Sequence, residues 1–283
     1  MFMADFLDAL RNPNIPFFRY ALAVGLLASV SLGIVGSYVV ARRITYIAAA
    51  ISHSVLGGIG AALYLNVALG LAWCSPMQGA LVAALLAAVL IGLISLYARQ
   101  REDTVISAVW AVGMAVGLLF FAKTPGYIDP MSYLFGNILL ISREDLWLVV
   151  ATDAVVVTLG VGFYPKLMAL CFDEEYAELR GVQVKFFYLL LLCLTALTVV
   201  LLVRVVGIVL VIALLTLPAA VAGHFSRKLW QMMLLATLFC MVFMTAGLAL
   251  SYSWNLPGGP MIIMIAGTAY LVVAIASKLM KNG

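Results

Sequence analysis

Phe172-Asp-Glu-Glu-Tyr-Ala-Glu-Leu-Arg-Gly-Val182 is the one sustained polar stretch in a chain that is otherwise mostly apolar. Asp173 is a good N-cap, and Glu174 and Glu175 fill the first turn that follows it. Arg180 sits in the last turn, with Gly181 placed to close the helix. Tyr176 and Leu179 are three apart and share one apolar face, which leaves Glu174, Glu175 and Glu178 in water. The spacing predicts a short capped amphipathic helix over about 172–182, shaped to touch something outside a membrane. A loop that merely happens to be helical fits the same spacing.

Around that stretch the composition leaves one class of protein. Of 283 residues, 66% are hydrophobic and only 10% are charged, with a mean hydropathy of +1.17. A soluble core of this size does not need so much apolar sequence, so an integral membrane protein with many spans is implied. The apolar runs are continuous rather than alternating, which excludes a membrane β-barrel. A net charge of +4 spread over loops does not point to nucleic acid. Cys74, Cys171, Cys193 and Cys240 lack CxxC spacing and lie in or beside apolar runs, so they read as packing residues. Met1 to Tyr20 is polar and aromatic without a small-residue cleavage site, and no cleavable leader is expected there.

Working outward, residues 146–170 form a span before the polar stretch, and 184–222 after it are long enough for two, hinged near Arg204-Val-Val-Gly207. Earlier spans are read at about 17–40, 47–69, 78–97 and 104–122, with residues 1–16 at the interface. Spans at about 229–252 and 260–279 finish the chain. Gly25, Gly33 and Gly36 allow close helix approach in the first span. Residues 132–142 are apolar but too short to cross, since a span needs about 20 residues, and are read as a re-entrant or broken piece. The fold class is therefore an all-α polytopic bundle of about eight or nine transmembrane helices, one domain over residues 1–283. With the polar stretch in the cytoplasm, eleven of the 16 Lys and Arg residues lie inside. Arg11, Arg19, Lys123, Arg143 and Arg204 lie outside. The N-terminus is then outside and the C-terminus cytoplasmic.

Few residues can carry chemistry. His53, in Ala49-Ala-Ile-Ser-His-Ser-Val-Leu-Gly-Gly58, is costly in an apolar helix, so it faces a cavity or the bundle interior. It reads either as a metal or pathway residue, since neutral imidazole suits zinc, manganese and iron, or as a histidine bonded to a neighbouring helix. Asp153 is the one carboxylate clearly inside a span; it is a candidate ligand, or a charge that finds water or Arg204. His224 belongs to a cytoplasmic turn and reads as solvated, while Asn137 and Asn255 lie toward the outer side. No paired carboxylates, Ser-His-Asp order or phosphate-binding Gly loop is present, so no enzyme site is indicated.

Arg42-Arg43, Ile51-Ser-His-Ser-Val-Leu-Gly-Gly58, Glu102-Asp-Thr104, Tyr133-Leu-Phe-Gly-Asn-Ile-Leu139 and the polar stretch itself follow one another along the chain as an ordered set. Val206-Gly207 through Leu217-Pro-Ala-Ala220 and Leu256-Pro-Gly-Gly-Pro260 complete it. Together these blocks resemble the zinc/manganese/iron permease family of ABC transporters, in the family's order and over nearly the whole chain. The resemblance implies a vitamin-B12-importer-like (type II) permease fold that works as a pair with a second permease chain, identical or not. It implies a bacterial inner-membrane importer fed by an extracytoplasmic metal-binding protein. ATP hydrolysis would belong to a separate cytoplasmic ATP-binding subunit, so this chain would not itself be an enzyme. The polar stretch would be the coupling helix, with Asp173, Glu174, Tyr176, Ala177, Leu179 and Gly181 at the ATPase contact. No permanent cofactor is implied; the cargo would be a divalent zinc, manganese or iron ion.

His53 matches the histidine of the family's Asp-x-x-x-His motif, but the aspartate position holds Ala49, and the aspartate frequent after Leu-Phe-Gly is Asn137. A different partner chain could supply the missing carboxylate. Alternatively, two His53 imidazoles could meet in a homodimer, which would favour zinc over manganese. The rival readings are a siderophore or vitamin importer of the same fold, and an ion-coupled secondary transporter, which needs charge relays or inverted repeats.

Overall fold

The polar stretch folds as a six-residue helix between long apolar ones. A computed structural model describes residues 16–71, 73–97, 102–126, 130–136 and 143–282. Among them every regular element is helical: α1 (Pro16–Ala41), α2 (Thr45–Leu69), α3 (Pro76–Tyr97), α4 (Glu102–Lys123), α5 (Pro130–Phe135) and α6 (Arg143–Gly162). They are followed by α7 (Tyr164–Phe172), α8 (Glu174–Leu179), α9 (Val184–Val206), α10 (Ile208–Phe225), α11 (Leu229–Trp254) and α12 (Gly258–Asn282). Seven of these helices are long and apolar enough to cross a membrane, and the bent pair α6–α7 makes up to eight. The 23-residue α9 carries a further apolar run, Val184–Val200.

Two groups of helices share α9. In one, α2 lies between α3 and α4; in the other, α1 packs on α6, α10 and α11, with α12 against α10 and α11. Without water to squeeze out, membrane helices associate through close packing, and small residues permit it. The approach of α2 to α3 shows this: a Cβ on Gly58 would lie 2.1 Å from the Gly79 carbonyl oxygen. In α1 the close approaches expected at Gly25, Gly33 and Gly36 occur against Met244, Thr237 and Leu215.

One detail differs from the sequence reading. The span read as continuous over 146–170 is broken: α6 and α7 meet at a 70° bend. Pro165 is the cause, since it has no N–H to donate and crowds the preceding turn, so it opens a new helix instead of continuing the old one. The hinge expected near 204–207 falls at Gly207, whose φ of 82° and ψ of 160° lie in a region open essentially to glycine alone. The short piece expected from residue 132 begins as α5, six residues that cannot cross. Residues 137–142, with Asn137, lie outside the described residues, as do residues 1–15, Arg99 and Arg101.

Candidate functional site

His53 lies on the side of α2 that meets α4. Its ring stacks on Trp110, with centroids 4.8 Å apart and planes 15° from parallel. Tyr46, two turns earlier, packs its edge on the same indole at 5.9 Å and hydrogen-bonds Ser107 through its hydroxyl at 2.6 Å. The indole N–H is directed along its own helix to the Met114 sulfur, 3.2 Å away. The Trp110 face thus fixes the imidazole plane without occupying its nitrogens. His53 Nδ1 is buried and has no hydrogen-bond partner among the described residues. A buried imidazole nitrogen left open is an unmet need that a proton, a water or a metal can fill. Ala49, one turn before on the same face, is half-buried and offers no ligand atom.

Next to His53, Ser54, Gly57 and Ala61 floor an apolar groove of about 660 Å³ walled by Val82 and Leu86 of α3 and Val112 and Val116 of α4. Its floor of small residues follows from the close packing of α2 between two neighbours.

Asp153 is held elsewhere. It lies on α6 facing α1, is 9% exposed, and accepts a hydrogen bond on Oδ1 from the Ser31 hydroxyl; Oδ2 has no partner among the described residues. The Arg204 side chain lies outside the described ones. The structure does not bring Asp153 to His53, because one belongs to the α1–α6 contact and the other to the α2–α4 contact. Among the described residues no group of three His, Cys, Asp or Glu side chains could hold a metal ion.

The polar helix α8 is built as its sequence directs. Asp173 is extended and accepts a 2.9 Å hydrogen bond from the Tyr176 N–H, and Gly181 follows in the left-handed region at φ 76°. Arg180 donates from Nε to the Tyr176 hydroxyl at 2.9 Å. The orientation of the helix corrects one expectation and adds to another. Ala177, read with the contact residues, is completely buried and anchors α8 inward, because it lies on the opposite side of the helix from Leu179. Glu174, read as staying in water, pairs with Arg42, which the end of α1 carries to this helix. Tyr176, Leu179 and the flanking Phe172 and Phe186 are exposed, Leu179 to 87%. His224 is exposed, and its Nδ1 lies 2.9 Å from the Ala220 carbonyl oxygen.

The model of the ABC 3 transport family matches residues 14–277. The chain belongs to the ABC 3 transport family. Within reach of this family, it is 39% identical over 244 residues to a "probable metal transport system membrane protein" of Chlamydia trachomatis, covering 86% of this chain and 83% of the other. It is 30% identical over 281 residues to the manganese import system permease protein ScaB of Streptococcus parasanguinis, covering 99% and 97%. Its fold is similar to a chain of the structure of PsaBC from Streptococcus pneumoniae in complex with Fab, with a TM-score of 0.83 at 30% identity over 96% of this chain and 95% of that one. The resemblance to a metal permease family of ABC transporters, read from the ordered motifs, therefore holds, as does the helical permease fold.

Sequence reasoning singled out His53 and the polar stretch of α8 but not Trp110 or Ser31. A tryptophan well inside a span and a pair of serines, Ser29 and Ser31, in another were the available signals. Neither says which helix it will meet.

Proposed function

We propose that the chain is the membrane permease of an ATP-driven importer of a divalent transition-metal ion. It works as a pair in a bacterial inner membrane, with a cytoplasmic ATP-binding subunit and an extracytoplasmic metal-binding protein. The observation that carries the coupling half is the exposure of Leu179, flanked by Tyr176, on a capped helix that Ala177 anchors from behind. A leucine 87% exposed on a helix too short to lie in a membrane is a contact waiting for a protein groove.

The metal half rests on His53 and on relatives whose names specify metal and manganese transport. One imidazole with an open nitrogen binds a metal weakly, which suits a path that must release what it accepts. His53 in each of two permease chains would give a soft nitrogen pair. Ala49, lacking the carboxylate of the related motif, shifts preference toward zinc, because manganese favours oxygen ligands. ATP binding would draw the ATP-binding subunits together, move α8 and open the path outward; release then follows inward past His53.

The test is uptake of zinc and of manganese by proteoliposomes carrying the full transporter, comparing wild type, His53→Ala and Ala49→Asp. Loss of uptake in His53→Ala and a gain in relative manganese uptake in Ala49→Asp are expected. Unchanged uptake in both variants would remove His53 from the path.

A further inference from the structure

We infer that Arg42 is a positioning residue that ties α8 to the first span, so that displacement of α8 passes directly into α1. The inference rests on the reading of α8 as the docking helix for an ATP-binding subunit. Its starting point is a row of polar contacts along α1. Ser31 donates to Asp153, the Tyr38 hydroxyl donates to the Gly160 carbonyl at 2.7 Å, and Arg42 pairs with Glu174. Residues 31, 38 and 42 are spaced by seven and four, so they lie on one face of the helix. Their partners belong, in the same order, to α6 and then α8. The Cys171 thiol adds a weak hydrogen bond at 3.8 Å to the Tyr38 carbonyl from the end of α7. Tyr38 is completely buried, and a buried hydrogen bond is expensive to leave unmade, so α1 and α6 are held in register.

The covalent route from α8 to the rest of the bundle is far softer. Upstream, Asp173 is extended, and beyond it lies the 70° bend between α7 and α6. Downstream, the left-handed Gly181 separates α8 from α9. A six-residue helix between two such breaks is joined to its neighbours by turns, and its packing on them runs through the buried Ala177. Arg42 bridges the gap: its guanidinium pairs with Glu174 on α8 and lies 5.8 Å from the centroid of the Tyr188 ring on α9. The end of α1 is shaped to hold it there. Arg43 takes the left-handed conformation at φ 62°, rarely adopted by a non-glycine residue, and the Ile44 N–H closes the turn on the Val39 carbonyl at 3.0 Å. On the opposite side α1 meets α11 and α10, where a Cβ on Gly33 would lie 2.1 Å from Thr237 Oγ1 and one on Gly36 2.1 Å from the Leu215 carbonyl oxygen. Contacts that close transmit a push without slack.

The Arg42–Glu174 pair is partly exposed, and such pairs add little to stability. Its role is therefore geometric, and removing it should alter coupling while leaving the fold intact. The experiment uses the full transporter in proteoliposomes with its ATP-binding subunit and binding protein. It reads metal transported per ATP hydrolysed, together with retention of the ATP-binding subunit on purification. Arg42→Gln should retain that subunit yet lower metal per ATP about two- to fivefold, the scale of one partly exposed ion pair. Glu174→Arg should lower it as well, and the double variant Arg42→Glu with Glu174→Arg should recover most of the loss. A wild-type ratio in Arg42→Gln, or a double variant no better than either single one, would overturn the inference. A wild-type permease that retains no ATP-binding subunit would instead defeat the docking reading of α8 itself.

Discussion

Gly136 and Gly207 meet backbone to backbone: a Cβ on Gly207 would lie 2.3 Å from the Gly136 nitrogen, and one on Gly136 would lie 2.4 Å from the Val206 carbonyl carbon. Gly259 joins them, its own Cβ position 2.8 Å from the Phe135 carbonyl oxygen. The end of α5, the break between α9 and α10 and the start of α12 thus touch through main chain alone. At Gly207 a side chain would be strained by φ as well as crowded. Gly207→Ala should cost at least about 2 kcal/mol. Gly70→Ala, also at positive φ but facing open space, should cost about 1 kcal/mol. Thermal unfolding of the two purified variants in detergent compares them; equal losses would refute the crowding.

The stack of Trp110 on His53 makes a different prediction. Such an aromatic contact is worth about 0.5–1.5 kcal/mol, enough to fix the imidazole plane. Trp110→Phe should preserve metal uptake and Trp110→Ala should lower it severalfold, although Trp110 has no ligand atom of its own. Uptake at matched expression decides, and equal rates in the two variants would show that the stack does not orient His53.

Asp153 is predicted to act through its bond to Ser31 rather than as a ligand. Asp153→Asn keeps an acceptor for Ser31 and should transport metal as wild type does. Ser31→Ala leaves the carboxylate with neither oxygen held and should lower stability by about 1–3 kcal/mol. If Asp153→Asn abolished uptake while unfolding at the wild-type temperature, the carboxylate would belong to the metal path after all.

On α8, Leu179→Glu changes an exposed position and should alter unfolding by no more than about 0.5 kcal/mol. Co-purification of the ATP-binding subunit should nevertheless fall. Gly181→Ala places a side chain at φ 76°, costs about 1 kcal/mol locally, and should loosen the helix end without contacting any neighbour. Undiminished co-purification in Leu179→Glu would argue against docking at this face.

Much of the architecture was legible because each signal is local. Apolar runs near 20 residues specify spans, and Asp173 and Gly181 specify both ends of α8, since cap chemistry acts within one turn. Gly207 could be located as a hinge for the same reason. The break after Gly162 was not read because apolar residues resume after Tyr164-Pro165-Lys166, although Pro165 marks a place where a helix cannot simply continue.

What the sequence by itself determined is most of the spans, the two ends of α8, and His53 as a side chain whose chemistry is costly against lipid. Only the tertiary structure decided the partners. His53 meets Trp110, Asp153 meets Ser31, Arg42 meets Glu174, and Ala177 turns inward while Leu179 turns out. The physical reason is that all faces of these helices are apolar, so periodicity does not say which one turns toward a neighbour. That choice is made where glycines let two backbones close, and those contacts join residues far apart in the chain.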